Sequence, residues 1–250
     1  MAQRYFIQLS YKGTNFHGWQ NQENASTVQE TLEKSLAVLM HRQIPVVGAG
    51  RTDTGVHASF FMAHFDAEDQ IADTKKLIYH LNQILPDDIA IQSISPVKST
   101  AHARFSAISR TYEYRMTLAK DPFLHEYYFQ LNHCPDLLIL NEASKELFEY
   151  SDFTSFCKLH SDNKTNVCKI IEADWNLDNN RLFFRIKANR FLRDMVRAIV
   201  GTMLDVGFSK KSLPEFRKII ESRDRSKAGT SAPAHALYLV DIEYPPDIAL

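Results

Sequence analysis

Cysteine is scarce in this chain of 250 residues: Cys134, Cys157 and Cys168 make an odd number with no CxxC spacing. That excludes a disulfide framework and a structural zinc site, and it fits a reducing cytosol. Glycine (8) and proline (9) are too few for a fibrous or disordered chain. No run of 18 apolar residues occurs, so no membrane span is expected. The opening MAQRYFIQLSYKG alternates polar and apolar residues and offers no signal-peptide core. In a cytosolic chain the Asn-x-Ser/Thr triplets at Asn24 and Asn163 are chance matches to a glycosylation acceptor. Also absent are GxxxxGK, GxGxxG, HExxH and GxSxG, which removes phosphate-loop, dinucleotide, zinc-protease and serine-hydrolase readings. His57, His64 and His102 lack metal-ligand spacing and read as ordinary polar or packed histidines. No metal and no cofactor is expected.

What is present is an ordinary globular composition, 44% hydrophobic and 24% charged. At about 150 residues per domain the length suggests one large domain or two modest ones. Basic residues (29) and acidic residues (30) nearly cancel, to −1, but they are unevenly spread. Residues 181–227 hold 13 basic and 5 acidic side chains, an excess of +8, leaving 16 against 25, or −9, elsewhere. Such a field steers a polyanion onto one face. The plainer alternative is a pair of solvated helix faces.

The first half reads as β-α-β-β-α-β. A strand carries Tyr5, Ile7, Leu9 and Tyr11 in alternation, followed by a glycine-bearing loop from Lys12 to Gln22. A helix starts at Thr27, with Glu30 placed for a capping box and Val28, Leu32, Leu36 and Leu39 as its apolar stripe. Short strands follow near Val46 and at Phe60–Phe65, then a helix from Thr74 to Leu85 and a strand through Ile89 and Ile91. The second half repeats that order. A strand spans Arg110–Leu118, a helix Leu137–Tyr150, and a hairpin joins 167–177 to 181–189 across Asp178-Asn179-Asn180. A long helix is expected from Phe191 to Val206, ending at Gly207 as a C-cap, then a helix Leu213–Ser222 and a strand Leu237–Tyr244. Two successive split β-α-β units imply an α+β fold of two ferredoxin-like halves with a mixed, largely antiparallel sheet and helices on one side. The halves are expected at 1–106 and 107–250.

Three stretches carry chemistry. Gly48-Ala-Gly-Arg-Thr-Asp-Thr-Gly-Val-His-Ala58 sets Arg51 and Asp53 among three glycines. An exposed loop needs that much backbone freedom when it approaches something closely. Asp53 then reads as a reactive carboxylate kept ionised by a guanidinium, or else as an Asx turn beside a solvated Arg51. Arg110-Thr-Tyr-Glu-Tyr-Arg115 puts Tyr112 and Tyr114 on one strand face with Arg110 beside them, which suits either base stacking or core packing. Arg190, Arg193 and Arg197 recur at i, i+3 and i+7, aligned along the expected long helix. Met195, Val196, Ile199 and Val200 make that helix largely buried, so an arginine there needs a carboxylate partner, with Asp53 a candidate.

These residues match a family. GAGRTDTGVHA at 48–58 resembles the catalytic loop of the TruA-type tRNA pseudouridine synthases. YKGTNFHGWQ (11–20), HARFSA (102–107), RTYEYR (110–115), SDFTSF (151–156), NRFLRDMVRAIVG (189–201) and GTSAPAHALYLV (229–240) resemble its other motifs, in the family's order. The resemblance implies isomerisation of uridine to pseudouridine at positions 38, 39 and/or 40 of the tRNA anticodon stem-loop, by a cytoplasmic homodimer without cofactor, in a cleft between the lobes. It implies that Asp53 is the nucleophile, that Tyr112 stacks on the target base and helps remove the C5 proton, and that Arg197 pairs with the aspartate. Arg51 would contact RNA, Leu237 would line an apolar pocket, and Arg110 and Arg190 complete the candidate substrate-binding set. Thr54, Ala236 and Cys157 depart from the family's common residues, and none of them is a proposed catalytic group. Two rivals remain at this point: a silent RNA-binding module of RRM-like halves, and a glycoside hydrolase, for which no second carboxylate motif is found.

Overall fold

The computed structural model describes residues 2–159 and 164–249 of the chain, so Asn163 lies outside the described residues. Two compact units emerge. The first takes residues 1–108 and resumes at Leu239; the second is Ser109–Tyr238.

In the first unit the order is β1 (Gln3–Tyr11), α1 (Val28–Met40), β2 (Val47–Gly48), β3 (His57–Ala67), α2 (Thr74–Ile84) and β4 (Ile89–Val97). β1 is the middle strand, antiparallel to both β3 and β4, and β2 pairs antiparallel with β3. Alternation along β1 delivers Tyr5, Ile7, Leu9 and Tyr11 to one face, and all four are buried. They meet Phe61 and Phe65 of β3, and Tyr5 stacks on Phe65 at 5.6 Å. Val28, Leu32 and Leu36 of α1 are fully buried, as the stripe requires. Thr27 caps α1 by accepting from the Glu30 amide at 3.3 Å. Glu30 does not return the bond; its carboxylate meets Lys34 one turn on, at 2.6 Å.

In the second unit come β5 (Ser109–Thr117), β6 (Phe129–Gln130), α3 (Leu137–Glu146), β7 (Ile170–Asp178), β8 (Arg181–Ala188), α4 (Met195–Gly207) and α5 (Leu213–Ser222). β8 lies antiparallel between β5 and β7, and β6 runs parallel to β5, which makes the sheet mixed. The β7–β8 turn is Asn179-Asn180, both with positive φ (45° and 63°), the twist that a two-residue hairpin needs. α5 carries a full capping box between Ser212 and Glu215. β9 (Leu237–Glu243) begins in this unit and carries the chain back into the first. The α+β class and the mostly antiparallel pairing are those the sequence implies.

One element differs in a way that bears on function. α4 begins at Met195, not Phe191, because Asp194 sits in the left-handed region (φ 66°) and breaks the helical path. Residues 189–194 are therefore loop, and Arg190, Arg193 and Arg197 do not share a helix face. The other end differs too. Gly207 is the last residue of α4 and not a left-handed cap; a Cβ there would lie 2.9 Å from Leu140 and Pro135, so its role is close packing.

Candidate functional site

The loop around Asp53 is held by main chain. Gly18 has φ 86°, and a Cβ on it would lie 2.2 Å from the Thr52 carbonyl oxygen, a contact no side chain tolerates. The Trp19 amide donates to that same carbonyl, and the Gly55 amide donates to Phe16 O at 3.3 Å. Asp53 heads a β-turn: its carbonyl accepts from the Val56 amide at 3.1 Å, with Gly55 at φ 79° in the third position. Below the loop, the buried Thr52 hydroxyl shares a 2.9 Å hydrogen bond with Tyr11. His57 is buried, and its Nδ1 accepts from the Gly13 amide at 3.0 Å. The glycine-bearing 12–22 loop thus serves as the floor for 52–56. Asp53 itself is half-buried, and Arg51 and Thr54 project outward.

His57, His64 and His102 all have their Nδ1 engaged by backbone amides, those of Gly13, of Ala103, and of Arg104 and Phe105. Each ring is thereby tied to backbone of its own unit. Burial, with Arg4 and His102 adding to it, pushes His64 down to about 4, so its ring is neutral near pH 7. Burial raises the Cys168 thiol to about 11, which leaves no useful thiolate. Among the described residues no group of three or more His, Cys, Asp or Glu is placed to hold a metal ion. No helix of the described residues is long and apolar enough to cross a membrane.

The other candidates belong to the second unit. Tyr112 is half-buried on β5, with Phe191 edge-on to its ring at 5.1 Å and 89°. Arg110 donates to the Asn189 carbonyl at 3.0 Å, so the start of β5 and the 189–191 loop are brought together. Arg190 is half-buried in that loop. Tyr114 has a different fate from its neighbour. It is fully buried, its hydroxyl donates to Pro233 O at 2.8 Å, and burial pushes its pKa well above the ordinary tyrosine value. Two tyrosines on one face do not make a two-ring stacking platform here; Tyr114 is core.

Arg197 stands in the first turn of α4. Its Nε donates to the Ala232 carbonyl at 2.7 Å, and its Nη1 lies 3.0 Å from Asp194 Oδ1. The carboxylate that the sequence demanded is therefore supplied, in part, from three residues upstream. Leu237, at the head of β9, is buried, and the side chain of its neighbour Tyr238 lies under the Arg115 guanidinium at 3.8 Å. Phe191 and Asp194 were not singled out from sequence. Both lie inside NRFLRDMVRAIVG, where the arginines dominated the pattern.

The basic excess of 181–227 is partly neutralised from outside that window. Arg217 pairs with Glu146 at 2.6 Å, Arg223 with Asp152 at 3.0 Å and Lys187 with Glu172 at 3.7 Å. Lys211 pairs with Asp205 inside it, at 2.7 Å. The surface charge available to a polyanion is smaller than the count implies.

The tRNA pseudouridine synthase family matches residues 8–106 and 143–245, spans that include Asp53, Arg197 and Leu237. The chain is 54% identical over 245 residues to tRNA pseudouridine synthase A of Parabacteroides distasonis, covering 98% of this chain and 97% of the relative. It is 53% identical to the enzyme of that name from Bacteroides fragilis (99% and 98% covered) and 41% identical to that of Bacillus subtilis (94% and 97%). The chain belongs to the tRNA pseudouridine synthase family, and it is an isomerase.

Proposed function

We propose that this enzyme converts uridine to pseudouridine at positions 38, 39 and/or 40 of the tRNA anticodon stem-loop, with Asp53 as nucleophile. The N1–C1′ bond breaks and a C5–C1′ bond forms, while the proton on C5 leaves and N1 takes one up. Atoms and electrons balance without a redox partner. Asp53 forms the transient covalent bond, at C6 of the base or C1′ of the ribose. Tyr112 stacks on the base and assists proton loss at C5; its half-buried position against Phe191 supports a ring held in one orientation. Arg197 supplies the positive charge that keeps the nucleophile ionised. Arg51, exposed on the loop, contacts the RNA and helps to expose the target nucleotide, since a base within a stem must leave the stack before it reacts. Arg110 and Arg190 hold the loop edge and neighbouring phosphates, and Leu237 forms the apolar wall of the base pocket. The working form is a homodimer in the cytoplasm, where tRNA resides.

The observation that carries this reading is the Asp53 turn. It is fixed by backbone contacts that admit no Cβ at Gly18, and it lies within the span matched by the family. A solvated turn residue has no need of such a frame. The test is tritium release from C5 of [5-³H]uridine-labelled tRNA. Asp53→Ala is expected to abolish release while tRNA affinity stays within about tenfold, because the carboxylate serves the chemistry and not the attraction. Release by the variant at the wild-type rate would overturn the assignment.

A further inference from the structure

The carboxylate of Asp194 is the hub of a small charged network within the second unit. Only 13% of its side chain is exposed. Its Oδ1 meets Arg197 Nη1 at 3.0 Å, and its Oδ2 lies 3.7 Å from Arg225 Nη2 and accepts from the Ser231 hydroxyl. Arg225 in turn donates to Ser231 Oγ at 2.7 Å and to the Gly229 carbonyl at 3.1 Å. Arg197 closes the ring by donating through Nε to the Ala232 carbonyl at 2.7 Å, while the Ala232 amide donates back to the Arg197 carbonyl at 3.0 Å. The 229–232 segment is thereby tied to the first turn of α4 by both side chain and main chain.

We infer that Asp194 is a positioning residue for the isomerisation: it orients the Arg197 guanidinium and does not itself touch the substrate. The inference rests on the reading of Arg197 as the cation that serves the nucleophile. A guanidinium is planar, so two contacts on different nitrogens fix its plane, and Asp194 and Ala232 O provide them on Nη1 and Nε. The charge balance is compatible with a second acid. Arg197 and Arg225 carry two positive charges against the one negative charge of Asp194, so the group stays net positive towards an approaching carboxylate. The backbone adds a further mark. Asp194 takes a left-handed conformation (φ 66°) that ends the preceding loop and starts α4, and its side chain makes no capping bond to that helix. Its carboxylate is turned instead to the two arginines and Ser231.

Asp194→Asn isolates the charge, because asparagine has the same shape and tolerates the left-handed region equally well. Steady-state pseudouridine formation on tRNA is expected to show kcat lowered about 10- to 100-fold, with KM for tRNA within about twofold. The melting temperature should stay within about 3 °C of wild type. A kcat equal to wild type overturns the inference, and so does a loss shared equally by tRNA affinity or by the melting temperature, which would mark a purely architectural role. A second arm uses Arg197→Lys, which retains charge but loses the fork. In that background Asp194→Asn is expected to cost less than twofold more; a full additional loss shows that Asp194 does not act through Arg197. Asp53→Ala, run beside them, separates the two readings. If it turns over normally, the assignment of the nucleophile has failed, whatever Asp194→Asn does.

Discussion

The two units hold their candidate residues by different physical means. Around Asp53 the frame is main chain: Gly18 against Thr52, the Trp19 amide to Thr52 O, and the Asp53–Val56 turn. Around Arg197 the frame is charge: Asp194, Arg225, Ser231 and the Ala232 carbonyl. A frame of close-packed backbone is indifferent to salt and intolerant of any added atom. A frame of ion pairs accepts modest changes of shape and loses its hold on orientation when a charge is removed. The difference suits the proposed roles, since a nucleophile needs a fixed place, whereas a cation needs a fixed orientation and field.

The largest expected effect tests the first kind of frame. Gly18→Ala must relieve a 2.2 Å approach to Thr52 O at φ 86°, and should destabilise the protein by about 4 kcal/mol. Urea unfolding checks it, and a variant as stable as wild type would show that the loop yields easily and would remove the contrast. Next in size is an effect of acid on the first unit. His64 is held neutral with its value lowered to about 4, below the ordinary 6.5. As pH falls the unfolded chain binds that proton first. The stability linked to His64 is therefore complete above about pH 6.5 and is lost progressively down to about pH 4, by up to about 3 kcal/mol. The unfolding free energy of wild type relative to His64→Gln should fall by about 2.4 kcal/mol from pH 7 to pH 4.5; a constant difference would contradict it. The smallest effect is a control in the second unit. Ser212→Ala removes the capping box of α5 and should cost about 1 kcal/mol with kcat unchanged. A fall in kcat would mean that the charged frame of α4 depends on its neighbour's cap.

Much of this is legible in the sequence alone. The Thr27 cap, the Asn179-Asn180 hairpin and the bounds of α5 follow from local chemistry, because caps and tight turns are settled by residues that are neighbours in sequence. The Asp53 loop was legible from its glycines and from its resemblance to a family. The start of α4 was not, because apolar and basic periodicity runs unbroken from 191 to 206, and a single left-handed aspartate interrupts it. Nor was the depth of Tyr114. Alternation assigns both tyrosines to one face, but the packing of Pro233, more than a hundred residues away, buries one of them. Much of the neutralisation of the basic stretch was hidden for the same reason: Glu146 and Asp152 come from distant parts of the chain.

The return of the chain at Leu239 bears on how the protein is made. Residues 239–249 complete the first unit: Tyr244 lays its ring edge-on to Phe6 and donates its hydroxyl to Ala103 O, the Ile108 amide donates to Glu243 O, and the Lys98 amide donates to Ile248 O. A ribosome delivers every residue of the second unit before it delivers these. The second unit is thus free to mature on a growing chain, while the first waits, incomplete, until residues 239–249 have emerged.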